Sequence, residues 1–366
     1  YDGDGKRDMP GLKNPVLHYQ IGNEYGNPAF WTSSVDDYFK LLKTASQSAR
    51  AACRNIKIIP SGLRTNDAFH NDPKAQRLDQ TMAKYEARMK DPFYVENWKR
   101  GRQLDEGALS LKGGIDVVDA GGNGSWHTTS EGYYTYVMRI LRAAGNGHIP
   151  VWDMEARNEP LLTPISTTHI YMNLGIPFGK HLVNVLKKPR HHQYKRAKAW
   201  YLAEQARITA KVFVSKFAAG NRKVFMGMPM DWDKGIGSLS WPNPFMGFCS
   251  ASAEPWPAYW TLKFLVSKLD GFTKASRLPA APGISLFRFD LGAGRGPVWA
   301  AWLEDKRPRG LNAPLPARKV KLKGIVATRA MAIPTQSQTA SAVSMTRGPG
   351  NVTLRLSVTP VFFFKY

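Results

Sequence analysis

The stretch that decides the fold is Tyr19-Gln20-Ile21-Gly22-Asn23-Glu24, a short apolar-flanked strand that ends in an Asn-Glu pair. A second predicted strand, residues 149–155, ends in Glu155. Carboxylates that follow separate buried strands lie together at one edge of a parallel sheet, where barrel enzymes place acid/base and nucleophilic groups. The two strand ends therefore predict a two-carboxylate site on a barrel of parallel strands.

Predicted strands and helices alternate between and after these two ends. The strand at residues 16–21 is followed by a helix to about residue 50, with Ser33 or Ser34 as N-cap and acidic residues in its first turn. Later strands are predicted at residues 55–59, 115–119, 149–155 and 223–227, and later helices at 75–89, 95–109, 131–144, 194–219 and 257–269. This order predicts an α/β fold, with part of a parallel barrel over residues 1–270.

The sequence pattern changes after Gly271. Apolar or alternating runs predict strands at residues 284–289, 298–302, 319–323, 352–358 and 361–364, and Gly and Pro separate them. Residues 271–366 are therefore predicted to form a small all-β sandwich domain.

Composition narrows the range of partners. The chain of 366 residues has 51 Lys and Arg against 28 Asp and Glu, a formal net charge of +23. Such a charge attracts nucleic acid, acidic polysaccharide or anionic membranes, and it also suits a solvated basic surface. The basic clusters carry no nucleic-acid-binding motif, so no specific nucleic acid is expected, and no apolar run reaches the length of a membrane span. Cys53 and Cys249 do not form a disulfide framework, which leaves the compartment open.

The acidic residues near the N-terminus match part of a calcium-binding loop. With Gly5 at the turn position, Asp2, Asp4 and Asp8 fall at the third, fifth and ninth positions of such a loop. The ligands at the first and twelfth positions are lacking, and an acidic Gly-rich turn explains the same residues. A structural calcium ion at this loop is an expectation, and no cofactor is required for the predicted chemistry.

The order of elements resembles that of glycoside hydrolase clan A, and most of all its xylosidase-like family 39. Asn23-Glu24 ends the first strand, Trp152-Asp153-Met154-Glu155 ends the fourth, and Asp231-Trp232 follows the fifth. In that clan a (β/α)8 TIM barrel carries the acid/base Glu, preceded by Asn, after strand four and the nucleophile after strand seven. The resemblance covers nearly the whole chain and implies the equivalents of barrel strands four to eight, followed by the C-terminal β-sandwich.

The resemblance also implies the roles of individual residues. Glu24 corresponds to the acid/base and Glu155 to the nucleophile of a retaining hydrolase that cleaves β-glycosidic bonds in an oligosaccharide or glycoside. Asn23 is expected to hold the 2-hydroxyl of the sugar, and Trp232 to form the floor of the subsite. Other tryptophans are candidate sugar platforms, although each one is more often a packing residue. The candidate substrate-binding residues are Asn23, Trp31, Trp126 and Trp232.

The chain departs from the family pattern in three places. The strand-six loop of the clan reads His-x-Tyr, whereas residues 121–123 here are Gly-Gly-Asn, and Met154 stands where the family tends to have Thr. Barrel strands one to three have no counterpart, so the first and fifth strands are expected to lack partners unless an N-terminal segment or a second chain supplies them. Two alternatives to an active hydrolase stay open. One is a weakened or inactive sugar-binding relative, and the other is a basic protein that binds polyanions.

Overall fold

The structure is a computed structural model that describes residues 16–23, 25, 30–63, 65–69, 78–87, 89, 92–121, 131–156, 158, 160, 181–182, 184–231, 245, 247–292, 294–305 and 310–365. The chain divides into two compact units. Residues 1–123, 132–155 and 221–225 form the first unit, and residues 124–131, 156–220 and 226–366 form the second.

Strands and helices alternate in the first part of the chain, as the sequence predicts. In chain order the elements are β1 (His18–Ile21), α1 (Val35–Ala52), β2 (Lys57–Pro60), a 3-10 helix (Thr65–Phe69), α2 (Leu78–Glu86), α3 (Pro92–Ser110), β3 (Val118–Asp119), α4 (Glu131–Ala143), β4 (Val151–Ala156) and, later, β5 (Lys223–Met226).

The five strands lie side by side in the order of the sequence. β1 is parallel to β2, with Tyr19 opposite Ile58, and β3 is parallel to β4. The carbonyl of Ile58 accepts hydrogen bonds from the N–H groups of Asp116 and Val117, which links β2 to the start of β3, and β5 lies beside β4. Within the described residues, β1 pairs only with β2 and β5 only with β4.

Local signals explain where the helices of this unit begin. Ser34 caps α1 through a reciprocal pair of hydrogen bonds with Asp37, and Tyr38 and Leu42 on one face of the helix are buried in the core. α3 begins at Pro92, three residues before the start predicted at residue 95. A proline suits the first helical turn because its missing N–H would have no partner there.

The second unit combines two long helices with antiparallel sheets. Its elements are α5 (Tyr194–Ala219), α6 (Pro257–Leu269), β6 (Phe272–Arg277), β7 (Ile284–Leu291), β8 (Val298–Leu303), β9 (Ala317–Lys323), β10 (Arg329–Ala332), β11 (Ser341–Ala342), β12 (Met345–Gly348), β13 (Asn351–Ser357) and β14 (Val361–Phe364). α5 packs against α6 and β6. None of the helices in the described ranges is long and apolar enough to cross a membrane.

The strands of the second unit form two sheets over one core. The larger sheet has the order β11-β10-β14-β8-β7-β6, and the smaller has the order β12-β13-β9. Leu286 and Phe363 from the larger sheet are buried with Leu322 and Leu354 from the smaller one. The sequence did not predict β6, β10, β11 and β12, because these strands lack a long apolar alternation and depend on hydrogen bonds from their neighbours.

Candidate active site

Of the two predicted catalytic carboxylates, the structure describes one. Glu155 is the fifth of the six residues of β4 and is half-buried. Its N–H donates a hydrogen bond to Oδ1 of Asp153, whose side chain is fully buried in the same strand. Glu24 lies outside the described residues. Asn23, directly before it, is exposed just past the end of β1.

Tyr25, directly after Glu24, is attached to Ser61, the residue that follows β2. Gly22 has a φ of 78°, and a β-carbon at this position would lie 1.9 Å from the ring of Tyr25, so only glycine fits. The N–H of Tyr25 donates to Oγ of Ser61, and the N–H of Ser61 donates to the hydroxyl of Tyr38. Burial raises the pKa of both phenols, which keeps them neutral hydrogen-bonding groups.

Trp31 is half-buried in an aromatic cluster behind this loop. Its ring centroid lies 4.8 Å from that of Tyr25 and 6.3 Å from that of Tyr38. Its indole N–H donates to the carbonyl of Ser34, and its own carbonyl accepts a hydrogen bond from Arg100. Trp31 is therefore held in place by packing and hydrogen bonds, and only part of its ring is available to a ligand.

A residue that sequence reasoning did not select, Asp119, lies where the strands end. Its side chain is 3% exposed. Oδ2 accepts a hydrogen bond from the side-chain amide of Gln20 in β1, at 3.0 Å. Oδ1 accepts the N–H of Gly121 at 2.8 Å and that of Met154 in β4 at 3.0 Å. The N–H of Leu63, just past β2, donates to the Asp119 carbonyl. The carboxyl ends of β1, β2, β3 and β4 therefore meet at one edge.

The sequence contained a signal for Asp119. The rule that selected Glu24 and Glu155, a carboxylate at the end of a predicted buried strand, applies equally to the strand at residues 115–119. Asp119 lies two residues before Gly121, the first of the three residues where the clan has His-x-Tyr.

Five further predicted site residues lie outside the described residues: Asp2, Asp4 and Asp8 of the predicted calcium loop, and the sugar-platform candidates Trp126 and Trp232. Within the described ranges, no group of three or more His, Cys, Asp or Glu side chains is arranged to hold a metal ion. Cys53 and Cys249 are free thiols, each partly buried.

Comparison with solved structures identifies the fold. The chain is a mixed α/β protein whose fold matches the TIM-barrel enzymes of glycoside hydrolase clan A, and the predicted resemblance, including the likeness to family 39, is confirmed at this level. In particular, it is similar to a family 39 glycoside hydrolase from the gut symbiont Bacteroides cellulosilyticus WH2, with 13% identity and a TM-score of 0.56. That match covers 96% of this chain and 58% of the other.

Two arabinofuranosidases have a similar fold. A family 51 alpha-L-arabinofuranosidase from Bifidobacterium longum is 11% identical, with a TM-score of 0.54, and the match covers 94% of this chain and 66% of that one. An alpha-L-arabinofuranosidase from Thermotoga maritima, solved with arabinose, is 10% identical, with a TM-score of 0.51 and coverages of 94% and 64%. The chain thus spans less than two thirds of the length of these structures. No protein-family model and no curated protein matches the sequence.

Proposed function

We propose that the protein is a retaining glycoside hydrolase that cleaves β-glycosidic bonds with Glu24 as acid/base and Glu155 as nucleophile. The observation that carries this proposal is the position of Glu155 near the carboxyl end of β4, joined through Asp119 to the end of β1, which leads into Asn23 and Glu24. Barrel enzymes carry their active sites at this edge of the strands. The fold shared with clan A hydrolases supports the same reaction class.

In this mechanism the two carboxylates act in two steps. Glu24 protonates the glycosidic oxygen while the Glu155 carboxylate attacks the anomeric carbon, which breaks the bond to the leaving group and forms a covalent glycosyl–enzyme. Glu24, now ionised, then removes a proton from the water that hydrolyses this intermediate. Direct attack requires the two carboxyl groups to be about 5–5.5 Å apart, whereas inverting enzymes keep them farther apart to admit a water.

The substrate is proposed to be an oligosaccharide or glycoside that enters over the ends of the strands. Asn23, exposed beside the proposed acid/base, can donate a hydrogen bond to the sugar 2-hydroxyl. The exposed part of Trp31, together with Trp126 and Trp232, would supply apolar faces for sugar rings. A structural calcium ion at Asp2, Asp4 and Asp8 is part of the same proposal.

The division of the chain into a barrel portion and a sandwich domain is part of the same proposal. We propose that residues 1–270 provide the equivalents of strands four to eight of a (β/α)8 barrel and that residues 271–366 form a β-sandwich domain. The parallel pairs β1–β2 and β3–β4, with β5 beside β4, support the first statement, and the common core of the two C-terminal sheets supports the second.

Covalent labelling tests the reaction class. The full-length protein is incubated with a panel of 2-deoxy-2-fluoroglycosyl fluorides, which form the glycosyl–enzyme but hydrolyse slowly, and its peptides are analysed by mass spectrometry. We expect the label on Glu155, and proton NMR of turnover should show retention of the anomeric configuration. Label on another residue, or inversion, would contradict the mechanism. Sugar binding without label or turnover would favour the inactive sugar-binding relative.

One observation favours a second candidate function, the binding of a polyanion. Residues 306–366 contain eleven Lys and Arg and no Asp or Glu. Exposed Lys319, Lys321 and Lys323 alternate along β9, and Lys319 lies opposite exposed Arg355 of β13. Like charges at this spacing repel, and a bound anionic chain would relieve the repulsion. The same lysines also protect β9 as an edge strand, which is the simpler explanation of their presence.

Salt dependence distinguishes these explanations. If the β9 face binds duplex DNA, changing Lys319, Lys321 and Lys323 to Gln should reduce the slope of log affinity against log salt by about 3, because each lost phosphate contact removes about 0.9. The matched control changes exposed Lys187, Lys188 and Lys195 to Gln, with the same loss of charge. If the two triple variants have the same slope of log affinity against log salt, the β9 lysines serve only to protect an edge strand. A parallel titration with polygalacturonate tests for an acidic glycan.

A further inference from the structure

The carboxylate of Asp119 joins the two strands that lead to the proposed catalytic residues. On one side it accepts the side-chain amide of Gln20, four positions before Glu24 in the chain. On the other side it accepts the main-chain N–H of Met154, directly before Glu155. One buried side chain thus contacts both halves of the proposed site without itself being exposed to a substrate.

Asp119 continues the sheet where the backbone ladder stops. The N–H of Ala120 donates to the carbonyl of Trp152. β3 ends at Asp119, while β4 continues to Ala156. Oδ1 of Asp119 takes the place of a backbone carbonyl for the N–H of Met154. Buried N–H groups require such a partner, so the carboxylate keeps β4 extended up to Glu155.

The backbone closes tightly around this carboxylate. A β-carbon on Gly62, just past β2, would lie 2.9 Å from Oδ2 of Asp119, and one on Gly121 would lie 2.9 Å from Oδ1. Atoms do not approach so closely without a shift, so neither position has room for a side chain beside the carboxylate. The strand ends therefore have little freedom to move relative to Asp119.

We propose that Asp119 is a positioning residue that aligns the end of β4, which carries Glu155, with the end of β1, which leads into Glu24. The proposal rests on the proposed function, since it assigns Asp119 a role through these two residues. Residues 121–123, where the clan has His-x-Tyr, are Gly-Gly-Asn in this chain. Asp119, at the end of β3, acts through the backbone of β4, the strand that carries Glu155.

Two substitutions separate the geometry of Asp119 from its charge. Asp119→Ala removes the acceptor of Gln20, Gly121 and Met154. Asp119→Asn keeps the shape: its amide oxygen can accept both backbone N–H groups, and its amide nitrogen can donate to Gln20 once the Gln20 amide turns over. A positioning role predicts that Asn rescues most of the activity that Ala loses, because the Asn side chain keeps the hydrogen bonds to Gln20, Gly121 and Met154.

The matched control is a second carboxylate, Asp116, two residues before the start of β3. Oδ2 of Asp116 accepts the N–H of Ile58 and a hydrogen bond from Arg50, so it also supports a backbone donor of a neighbouring strand. It lies away from the carboxyl ends. Asp116→Ala should lower the thermal stability of the protein, and the folded fraction should react at the wild-type rate.

The experiment measures the rate at which the 2-deoxy-2-fluoroglycosyl fluoride that labels Glu155 fastest inactivates each full-length variant. In Asp119→Ala we expect the maximal inactivation rate to fall about 100-fold, the size of effect that a misplacement of about 1 Å produces, with the half-saturating inactivator concentration unchanged. Asp119→Asn should recover most of the rate. If Asp119→Ala does not fold, Gln20→Met is used in its place. This substitution removes only the hydrogen bond between Asp119 and β1, and we expect it also to slow inactivation.

The outcomes distinguish this inference from the function beneath it. Wild-type label on Glu155 together with an undiminished rate in Asp119→Ala, or in Gln20→Met, would overturn the positioning role and leave the hydrolase intact. A fall in the maximal inactivation rate of Asp116→Ala as large as that in Asp119→Ala would also overturn it, since any weakening of the sheet would then slow the reaction. A wild-type protein that takes no label on Glu155 would overturn the proposed function and this inference with it.

Discussion

Glu155→Gln is expected to abolish turnover of aryl glycosides. The amide has nearly the same shape as the carboxylate but is not a nucleophile, so the glycosyl–enzyme cannot form. Removing a nucleophile from an enzyme lowers kcat on the order of 10⁶-fold. The measurement is the release of nitrophenol from a panel of nitrophenyl glycosides, carried out on protein whose fold is verified by circular dichroism.

An exposed glutamate outside the parallel strands serves as the control. Glu254 is exposed, and Glu254→Gln removes the same charge from the chain. This variant should retain the wild-type rate. Residual turnover above about 1% in Glu155→Gln would show that another group attacks the sugar, since the loss would then be far below that expected for a nucleophile.

Glu24→Gln is expected to have an effect that depends on the leaving group. A poor leaving group needs a proton when its bond to the sugar breaks, whereas a dinitrophenolate leaves without one. General acid catalysis contributes about 10²–10⁴-fold, so kcat/KM for alkyl glycosides should fall by that factor. For dinitrophenyl glycosides the formation of the glycosyl–enzyme should be nearly unchanged.

The test is the slope of log kcat/KM against the pKa of the leaving group. The slope should be shallow in the wild type and in Glu254→Gln, and steep in Glu24→Gln. An equal loss for all leaving groups would argue that Glu24 supports binding or folding and is not the acid.

Elements stabilised by local interactions could be predicted from the sequence with good accuracy. The predicted bounds of α5 and α6 are those in the structure: Gly220 ends α5 with a φ of 118°, and Pro257 begins α6. Ser34 was one of two predicted caps for α1, and it forms the cap with Asp37. Each of these signals acts over a few residues, so it is readable without knowledge of the fold.

Elements that depend on a distant partner could not be predicted in the same way. The strand predicted at residues 115–119 is reduced to Val118–Asp119, because the N–H groups of Asp116 and Val117 both donate to the Ile58 carbonyl and do not form a regular ladder with β2. β6 has no apolar alternation, and its pairing with β7 makes it a strand. Short strands gain most of their stability from neighbours, and sequence patterns do not show which neighbour is present.

The sequence by itself determined the alternation of strands and helices, the position of Glu155 near the end of β4, and the family resemblance that gave it a role. Only the tertiary structure decided that the Asp119 carboxylate would bond Gln20 and Met154. These residues lie far apart in the chain, and their contact depends on the parallel alignment of four strands. A side chain becomes a bridge only when folding removes water from it and brings two donors within hydrogen-bonding distance.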